Sequence, residues 1–460
     1  MSPLVAGVDS STQSVKVVVR DADSGELIAK SSRPHPDGTE VNPTKWLQAL
    51  ESALDEVSSH KISAISIAGQ QHGMVALDES GKVIRDALLW NDTRSDQAAH
   101  DLNQEIPDIH QRTGSQLVAS FTASKVRWMA DNEKENAEKL AAVALPHDWL
   151  SWQLTRSDSL DALFTDRSDA SGTGYFDSVK NEYCRDIFAT ALRSSKSVVL
   201  PKIIGPNGFG GTTKNGVPIA AGAGDNAAAA LGLGAAVGDL VISLGTSGTA
   251  FAVSSSATQD PSGEVAGFAD ATGNFLPLAC TLNAAKIFDT VARTLGISFD
   301  EFSSLALQAQ PGAQGLRVIP HFDGERTPNR PKATGSFHGV THANLTKENV
   351  ARAAIEGVIA GMVYATTALE KLGVQYKRVL LIGGAAKNPA VQQIAAHLFG
   401  KTIHLPPVGE YVANGAAKQA AWALSNSATP PSWSLGEVTE VEPKNTAGDL
   451  VSNYMELINN

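Results

Sequence analysis

An aspartate and an asparagine stand between a glycine-punctuated turn and a run of alanines in the stretch "IAAGAGDNAAAALGLG", residues 219–234. A carboxylate such as that of Asp225 is a favoured N-cap, because it accepts hydrogen bonds from the unpaired N–H groups of a first helical turn. Taken alone, this is the stronger interpretation. A carboxylate at a strand-to-helix junction also lies where α/β proteins bind ligands, and there it would orient or deprotonate a substrate hydroxyl.

Two short turns have the composition of an anion-binding site: "DSSTQS", residues 9–14, and "LGTSG", residues 244–248. Such turns align backbone N–H groups and hydroxyls around phosphate oxygens, although an ordinary hairpin loop has the same composition. Asp9 has no acidic counterpart in the second turn. It is either a turn residue that bonds its own backbone or the single carboxylate that a hydrated Mg²⁺ needs. The candidate phosphate-binding residues are Ser11, Thr12, Gln13, Lys16, Gly245, Thr246 and Ser247.

A third glycine-containing turn lies in "LIGGAAKN", residues 381–388. It lacks the spacing of both the dinucleotide fingerprint and the Walker loop. Gly383 and Gly384 would let the base or ribose of a nucleotide approach the backbone, beside a helix that begins near Asn388. Tight packing between strand and helix explains the same glycines equally well.

Two polar segments are candidates for holding an organic substrate. "AGQQHGMVALD", residues 68–78, places His72 in a glycine-bounded turn, and "LLWNDTRSD", residues 88–96, carries Trp90 and Asp92. A lone histidine is more often packed or solvated than a ligand, and a helix cap explains Asp92 equally well. The position of both segments beside predicted strand ends favours a binding role.

The two anion-binding turns each join a pair of predicted strands. "LVAGVDSSTQSVKVVVRD", residues 4–21, and "LVISLGTSGTAFAVSS", residues 240–255, both indicate strand, turn and strand. The second stretch overlays the first without a gap, so that Ser14 falls on Gly248. Internal similarity of this kind predicts two related domains, each of which opens on the same hairpin.

The predicted domains span residues 1–235 and 236–460, and Asp225 would face the cleft between them. Periodicity predicts strands in "AISIAG" and "ALLW" and helices in "ASKVRWMADN" and after Pro146. It also predicts one long buried helix that ends at Gly373. Residues 378–400 are predicted as a strand, a turn and a helix with Asn388 as N-cap. Residues 425–436 are predicted as a loop, and the last 24 residues as a short helix or a loose tail.

The composition excludes several classes of protein. A chain of 460 residues with 42% hydrophobic and 18% charged residues is typical of a globular protein of two large domains. The net charge of −11 argues against a nucleic-acid or membrane partner. Cys184 and Cys280 have neither disulfide-framework nor zinc-site spacing, which favours a cytoplasmic location. We predict neither export nor a membrane span, because no leader pattern and no window of 18 unbroken apolar residues is present.

Nearly the whole chain resembles the FGGY carbohydrate kinases, and among them the xylulokinases. The resemblance rests on the segments quoted above together with "LPHDWLSWQLT", "DASGTGYFD" and "GERTPNRP". It implies an α/β fold of two duplicated actin-like (ribonuclease H-like) ATPase domains with a cleft between them. It further implies ATP and Mg²⁺ as cofactors and a small-molecule ketopentose as the other substrate, and it leaves a homodimer open.

The same resemblance implies a role for each candidate residue. Asp225 matches the catalytic base and Asp9 the residue that supports Mg²⁺. A helix dipole at Asp225 is expected to favour its charged form. Gln71 stands where xylulokinases commonly carry Met. The implied sugar-binding residues are Gln71, His72, Trp90, Asn91, Asp225 and Asn226, and the implied nucleotide-binding residues are those of the two Thr-bearing turns with Gly383, Gly384 and Asn388.

The predicted reaction is the ATP-dependent 5-phosphorylation of D-xylulose. Another acceptor of the family, such as ribulose, gluconate or glycerol, is the first alternative. An actin-like or chaperone-like ATPase that binds protein uses the same duplicated hairpins but needs neither Asp225 nor the His72 turn. A catalytically silent sugar sensor is disfavoured, because Asp9 and Asp225 are both present.

Overall fold

The computed structural model describes residues 2–444 and 448–459. The chain divides into two units: the first is Met1–Ala235 with Gly267–Leu276 and Gly409–Ser434, and the second is Ala236–Ala266 with Pro277–Val408 and Leu435–Asn460. The sequence predicted a single division after residue 235. The structure differs from this prediction at two places. Two short segments from the later half of the chain, Gly267–Leu276 and Gly409–Ser434, pack with the first unit.

The first unit is built around a sheet flanked by helices. Its strands up to residue 235 are β1 (Leu4–Ser10), β2 (Ser14–Asp21), β3 (Leu27–Pro34), β4 (Glu40–Val41), β5 (Ile62–Gly69), β6 (Val75–Leu77), β7 (Ala87–Leu88), β8 (Ala142–Ala144), β9 (Phe164–Thr165), β10 (Phe176–Asp177), β11 (Glu182–Tyr183), β12 (Lys202–Ile203), β13 (Phe209–Thr212), β14 (Pro218–Ala220) and β15 (Ala223–Gly224). Its helices are α1 (Pro43–Glu56), α2 (Asp96–Glu105), α3 (Ile109–Thr113), α4 (Thr122–Asn132), α5 (Lys134–Lys139), α6 (Pro146–Thr155), α7 (Arg167–Ala170), α8 (Arg185–Leu192) and α9 (Asp225–Leu233).

The main sheet of this unit has the strand order β13-β14-β5-β1-β2-β3, with β15 also paired to β5. β1 runs antiparallel to β2 and parallel to β5, so the carboxyl ends of β1 and β5 lie at the same edge. Strand β1 is buried over most of its length, as the run of apolar residues in its sequence predicts. This edge carries the first phosphate-binding candidate and the His72 segment.

From residue 236 onward the strands are β16 (Asp239–Leu244), β17 (Gly248–Ala252), β18 (Val265–Ala269), β19 (Phe275–Thr281), β20 (Arg317–Ile319), β21 (Ser336–His338), β22 (Arg378–Ile382), β23 (Ile403–Leu405) and β24 (Thr439–Val441). The helices are α10 (Ala285–Leu295), α11 (Phe299–Gln308), α12 (Lys347–Lys371), α13 (Pro389–Phe399), α14 (Tyr411–Ser425) and α15 (Gly448–Asn459). The second main sheet has the order β18-β19-β17-β16-β22-β23-β24.

The two sheets share one plan, which confirms the predicted duplication of hairpins. β16 runs antiparallel to β17 and parallel to β22, just as β1 does to β2 and β5. The hairpins differ by one residue at the turn, because Ser10 pairs with Val15 whereas Leu244 pairs with Gly248. The predicted gapless overlay is therefore wrong beyond the turn. A Cβ added to Gly248 would lie 2.5 Å from Thr281 Oγ1 and 2.7 Å from Met362 Sδ, so close packing against β19 and α12 explains this glycine.

Helix α14 explains why a late segment packs with the first unit. A Cβ added to Gly7 of β1 would lie 2.0 Å from the Ala413 carbonyl oxygen, and one added to Gly415 would lie 1.8 Å from that of Ala228 in α9. Glycine at these positions lets the helix backbone approach both the sheet and α9. The sequence pattern of α14 alone does not reveal this packing.

The long buried helix predicted to end at Gly373 is confirmed as α12, and Gly373 has φ +84°. Among the described residues, α12 is the one helix long and apolar enough to cross a membrane, and 72% of its most apolar window is buried in the second unit. A buried core helix meets the same criteria, and α12 also holds a buried ion pair between Arg352 and Glu356. The end of the chain forms α15, with Tyr454 buried, while residues 445–447 lie outside the described residues.

Candidate active site

Asp225 is the first residue of α9, and the N-cap of that helix is Gly224, without a side-chain cap hydrogen bond. The Asp225 Oδ1 accepts hydrogen bonds from the backbone nitrogen of Asn226 at 2.8 Å and from its Nδ2 at 2.9 Å. Asp225 is therefore not the N-cap residue of α9, but its carboxylate does accept a hydrogen bond from a backbone N–H of the first helical turn. The next residue orients the carboxylate, which remains partly exposed at the start of the helix.

The environment of Asp225 also reverses the predicted effect of the helix dipole. Burial raises the pKa of Asp225 to about 7, and the negative charge of Asp9 raises it further against the opposing hydrogen bonds from Asn226. A carboxylate with a pKa near neutrality is a better proton acceptor than one at its ordinary value of 3.8. This property suits a general base.

Asp9 lies near the end of β1 and is 4% exposed. The Ser11 hydroxyl donates a hydrogen bond to Asp9 Oδ1, so its partner is a side chain and not its own backbone. Burial raises the pKa of Asp9 to about 6, against the Ser11 hydrogen bond and the charge of Lys16. Lys16, which faces Asp9 across the hairpin, is paired through Nζ with Glu410 Oε2 at 2.7 Å.

Each of the two phosphate-binding candidate turns presents unpaired backbone donors. In the part of the chain that the structure describes, the backbone N–H groups of Thr12 and Gln13 donate to no acceptor. The same holds for Thr246 and Ser247 at the matching positions of the second turn. Two adjacent free N–H groups at a strand end form the kind of concavity that binds a phosphate oxygen.

His72 has the left-handed backbone conformation, with φ +69°. Its Nδ1 lies 2.5 Å from the Gly172 carbonyl oxygen, and its ring packs 4.9 Å from Phe121 and 5.5 Å from Phe268, measured between ring centroids. These contacts fix the imidazole while leaving the side chain partly exposed. A strained backbone held by its surroundings is typical of a functional site.

Lys125 is a residue that sequence reasoning missed. It is completely buried in α4, and its Nζ donates a hydrogen bond to the His72 carbonyl oxygen at 3.2 Å. A second bond goes to the Ser120 carbonyl oxygen. Burial lowers the pKa of Lys125 to about 7. Lys125 lies four residues from the apolar Phe121 and Met129 on the same helix face, and this position is the signal that could have pointed to it.

Gln71 packs against the residue that precedes Asp225 and is 6% exposed. Its Nε2 donates to the Ser168 carbonyl oxygen at 3.3 Å, and a Cβ added to Gly224 would lie 2.7 Å from that nitrogen. The Gly224 backbone nitrogen in turn donates to Ser168 Oγ at 3.1 Å. Gln71 thus packs under the strand-to-helix junction that precedes Asp225.

The second polar segment meets the first hairpin. The Trp90 Nε1 donates a hydrogen bond to Thr12 Oγ1 at 2.9 Å. The Oδ1 of the neighbouring Asn91 is buried and has no hydrogen-bond partner among the described residues. Asp92 accepts from Thr39 Oγ1 at 2.8 Å and from Arg94 Nε at 2.9 Å.

In the second unit, Gly383 and Gly384 follow β22 and have different surroundings. Gly383 has φ +95°, and a Cβ there would lie 2.4 Å from the Leu244 carbonyl oxygen, so tight packing explains this glycine. Gly384 faces open space. The prediction that Asn388 caps α13 is confirmed, and its Oδ1 also accepts from Ser303 Oγ at 2.7 Å.

Glu325, from the segment "GERTPNRP", is a second residue whose role the sequence did not reveal. It is 3% exposed, and its Oε1 accepts from the backbone nitrogen of Leu282 at 2.6 Å. The loop that it holds continues into Ala284 and Ala285, whose backbone nitrogens donate to the carbonyl oxygens of Thr246 and Gly245. Glu325 therefore positions the second phosphate-binding candidate turn.

A buried cluster lies beside the Asp225 junction. His147 is completely buried, and its Nε2 lies 3.2 Å from Asp169 Oδ2, 3.3 Å from Asp148 Oδ1 and 3.5 Å from Asp166 Oδ1. Burial lowers the pKa of His147, but the three carboxylates outweigh it and raise the value to about 9. Donors of three of these residues lie within 4.8 Å of one another, as in a metal site. Both Asp169 carboxylate oxygens are buried without a hydrogen-bond partner among the described residues. The cluster is a buried ion-pair network when the imidazole is protonated, and the same donor set also suits a cation.

Two family models match the chain. Residues 4–232 match the N-terminal domain of the FGGY family of carbohydrate kinases, and residues 240–424 match the C-terminal domain of that family. The chain belongs to the FGGY family of carbohydrate kinases. This FGGY kinase is therefore a phosphotransferase that uses ATP and a sugar as substrates. The predicted α/β fold with two duplicated domains is confirmed.

The FGGY kinase is similar to xylulose kinases over most of its length. It is 41% identical to the xylulose kinase of Streptomyces rubiginosus over 441 residues, which cover 92% of this chain and 88% of that protein. The crystal structure of xylulose kinase from Bifidobacterium adolescentis is 44% identical, with a TM-score of 0.91 and 99% of each chain covered. A glycerol kinase from Plasmodium falciparum, solved with ADP, is 19% identical with a TM-score of 0.87, which shows a shared fold alone.

Proposed function

We propose that this FGGY kinase transfers the γ-phosphoryl group of ATP to the 5-hydroxyl of D-xylulose, with Asp225 as general base. The observation that carries the proposal is a carboxylate at the junction of β15 and α9, with one oxygen held by Asn226. Burial and the charge of Asp9 on the first hairpin raise its pKa to about 7. The identity of 41–44% with xylulose kinases from Streptomyces and Bifidobacterium supports D-xylulose as the acceptor.

The 5-hydroxyl of the sugar donates a hydrogen bond to Asp225, which aligns its oxygen with the γ-phosphorus. As the new O–P bond forms, the bond from the γ-phosphorus to the bridging oxygen of ADP breaks, and the hydroxyl proton passes to the Asp225 carboxylate. The transition state of phosphoryl transfer is loose in most analyses, so alignment matters more than base strength. Asn226 fixes one oxygen of Asp225 and leaves the other for the sugar.

The residues around Asp9 fit a hydrated Mg²⁺. The charge of Asp9 raises the pKa of Asp225, and burial raises the pKa of Asp9 itself. These two carboxylates, with one Asp9 oxygen held by Ser11, form an oxygen donor set of the kind that this ion prefers. Asp9 would hold the ion, with Asp225 nearby. When bound, Mg²⁺ neutralises negative charge on the phosphates of ATP.

The backbone N–H groups of the two matched turns are proposed as phosphate donors: Thr12 and Gln13 in the first unit, and Thr246 and Ser247 in the second. Gly384, which faces open space, is the proposed point where the adenosine approaches the backbone. The remaining predicted positions take supporting roles: Ser11 with Asp9, Lys16 with Glu410, Gly245 through its backbone bond to Ser247, Gly383 in close packing against Leu244, and Asn388 in the cap of α13.

Sugar-binding roles are proposed for His72, Trp90, Asn91 and Asn226, with Gln71 as a support beneath them. The unpartnered Oδ1 of Asn91 is a free acceptor for a sugar hydroxyl. Because Gln71 is buried against Gly224, its side chain acts on the placement of Asp225 more than on the choice of sugar.

A cytoplasmic enzyme without nucleic-acid or membrane partners is part of the proposal, in keeping with the net charge of −11. A homodimer stays a prediction, which light scattering of the purified protein would check.

The proposal is tested by ADP release with MgATP and one of five acceptors: D-xylulose, D-ribulose, L-ribulose, gluconate or glycerol. We expect strong stimulation by D-xylulose and weak or no stimulation by the others. Stimulation by another acceptor alone would overturn the substrate while retaining the family activity. Turnover that is indifferent to every sugar would favour an ATPase that binds protein.

Removal of the Glu325 carboxylate is expected to weaken nucleotide binding. Glu325→Ala removes the acceptor of two partly buried backbone N–H groups, at a cost of up to about 1–3 kcal/mol each, which releases the loop that supports the Thr246 turn. We expect the KM for ATP to rise by about tenfold or more, with a smaller change in the KM for the sugar. Glu325→Gln keeps an oxygen that accepts from both backbone nitrogens and is expected to retain most of the affinity.

Steady-state kinetics with each substrate varied in turn measures this effect. Glu301→Ala, at an exposed position of α11, is the matched control and should leave both KM values unchanged. Equal increases in the two KM values for Glu325→Ala would show that the carboxylate serves overall folding and not the nucleotide turn.

A further inference from the structure

The hydroxyl of Thr12 is engaged by both polar segments that follow it in the first unit. It accepts a hydrogen bond from Trp90 Nε1 at 2.9 Å and donates one to Gln70 Oε1 at 3.3 Å. Gln70 is 1% exposed, and its backbone nitrogen donates to the Ser10 carbonyl oxygen at 3.1 Å. A hydrogen-bonded chain thus runs from the Trp90 segment, through the tip of the first hairpin, to the segment that carries His72.

The main chain of the same turn is held from the other side by His35. The His35 backbone nitrogen donates to the Gln13 carbonyl oxygen at 2.8 Å, and its Nδ1 lies 2.8 Å from the Ser11 carbonyl oxygen. The backbone is therefore anchored independently of Thr12. The side chain of Thr12 adds the connection to the two sugar-binding candidate segments.

The matched threonine of the second hairpin lacks this connection. Thr246 is exposed, and within the described residues its hydroxyl makes no hydrogen bond. Both turns present two free backbone N–H groups, so the difference between them lies in the side chain. A hydroxyl that already accepts one bond and donates another has little capacity left for a phosphate oxygen.

We propose that the Thr12 hydroxyl is a positioning group that couples occupancy of the sugar-binding segments to the geometry of the first phosphate-binding turn, through Trp90 on one side and Gln70 on the other. The inference rests on the proposed function, because it assigns Trp90 and the His72 segment to the sugar and the turn to ATP. A sugar that fixes the position of the Trp90 side chain also fixes the Thr12 hydroxyl. The backbone N–H groups of Thr12 and Gln13 are then held in the geometry that binds the phosphate.

Coupling between two binding sites is reciprocal and typically amounts to a factor of about 5 to 150 in affinity. The affinity for MgADP should therefore be higher in the presence of D-xylulose than in its absence. The bonds from Trp90 to Thr12 and from Thr12 to Gln70 link the two sites. Their loss should remove most of the increase in MgADP affinity that the sugar causes. The loss of a phosphate ligand would instead weaken MgADP binding equally with and without sugar.

Calorimetric titration of MgADP into the full-length protein, with and without saturating D-xylulose, tests the inference. In the wild type we expect at least about fivefold tighter MgADP binding with the sugar. Thr12→Val, which keeps the shape but removes the hydroxyl, should reduce this ratio to below about twofold, and Trp90→Phe should do the same. Thr12→Ser should restore the ratio, and Thr246→Val should weaken MgADP binding without changing the ratio.

Two results would overturn this inference and leave the proposed function intact. The first is a ratio of MgADP affinities in Thr12→Val that equals that of the wild type. The second is a ratio of one in the wild type when both ligands bind. A ratio lost equally in Thr12→Ser and Thr12→Val would also overturn it, because the hydroxyl would then not be the relevant group. If D-xylulose does not bind to the wild type in the same titration, both the proposed function and this inference are wrong.

Discussion

Asp225→Asn is expected to lower kcat for D-xylulose phosphorylation by about 10² to 10⁴ while retaining the binding of both substrates. The loss of one general base costs a factor of this size. Asparagine keeps the size of the side chain and the oxygen that accepts from Asn226, so the local structure should be preserved. Rapid-quench measurement of the chemical step, with calorimetric Kd values for sugar and MgADP, separates catalysis from binding.

The same variant is expected to be more stable than the wild type. The pKa of Asp225 rises from 3.8 to about 7 in the folded protein, so its ionisation destabilises the fold. The free energy of unfolding therefore begins to fall above about pH 4, and the loss is complete above about pH 7. A rise of this size corresponds to at most about 4 kcal/mol, which the partial exposure of the side chain reduces. Asparagine has no such cost.

Thermal unfolding of Asp225→Asn and wild type in EDTA, from pH 5 to pH 8, measures this gain. We expect the difference in Tm to grow as the pH rises towards 7. Asp158→Asn, at an exposed position, is the matched control and should show no such trend. A variant that is less active yet no more stable at pH 8 would contradict the unfavourable environment assigned to Asp225.

His147→Asn is expected to destabilise the protein by about 3–5 kcal/mol near pH 7. Removing one partner of a buried ion-pair network leaves uncompensated charge, and here three carboxylates surround the imidazolium. The pKa of His147 is raised to about 9, so its contribution is fully present below about pH 6.5 and is lost as the pH rises through 9. The variant should therefore lack the part of the wild-type stability that disappears between these values.

Denaturant unfolding at pH 6.5, 8 and 9.5 measures this effect. His342→Asn, at an exposed position, is the matched control and should unfold like the wild type at each pH. Wild-type stability at pH 6.5 equal to that of His147→Asn would contradict the ion-pair network. Retention of a stoichiometric transition metal by the purified wild type would show that the cluster is a metal site instead.

The duplicated hairpins, the long helix and the strand, turn and helix over residues 378–400 were predictable, because each depends on local periodicity, glycine and cap residues. The one-residue difference between the hairpin turns was not, since loop closure depends on how both strands pair. The role of Asp225 was also open from sequence, because capping was the stronger interpretation of the stretch alone and the family resemblance implied a catalytic base. The structure places the N-cap at Gly224 and shows one Asp225 oxygen bound to the backbone nitrogen of Asn226.

The supporting residues of the site escaped prediction for a different reason. Lys125 reaches a carbonyl oxygen 53 residues away, and Glu325 a backbone nitrogen 43 residues away. His147 meets Asp166 and Asp169 from a separate helix. Such contacts depend on tertiary packing, and no local pattern of residue types encodes them. The "LPHDWLSWQLT", "DASGTGYFD" and "GERTPNRP" segments carry residues of these networks: His147 and Asp148, Asp169, and Glu325.

The central claim is that this FGGY kinase phosphorylates D-xylulose at its 5-hydroxyl with Asp225 as the base. The most direct measurement is the ³¹P NMR spectrum and mass of the product formed from D-xylulose and MgATP by the wild type and by Asp225→Asn at equal concentration. We predict a single pentulose 5-phosphate from the wild type, in stoichiometric amount with ADP, and almost none from the variant. A phosphate ester at another position, or an equal yield from Asp225→Asn, would contradict the claim.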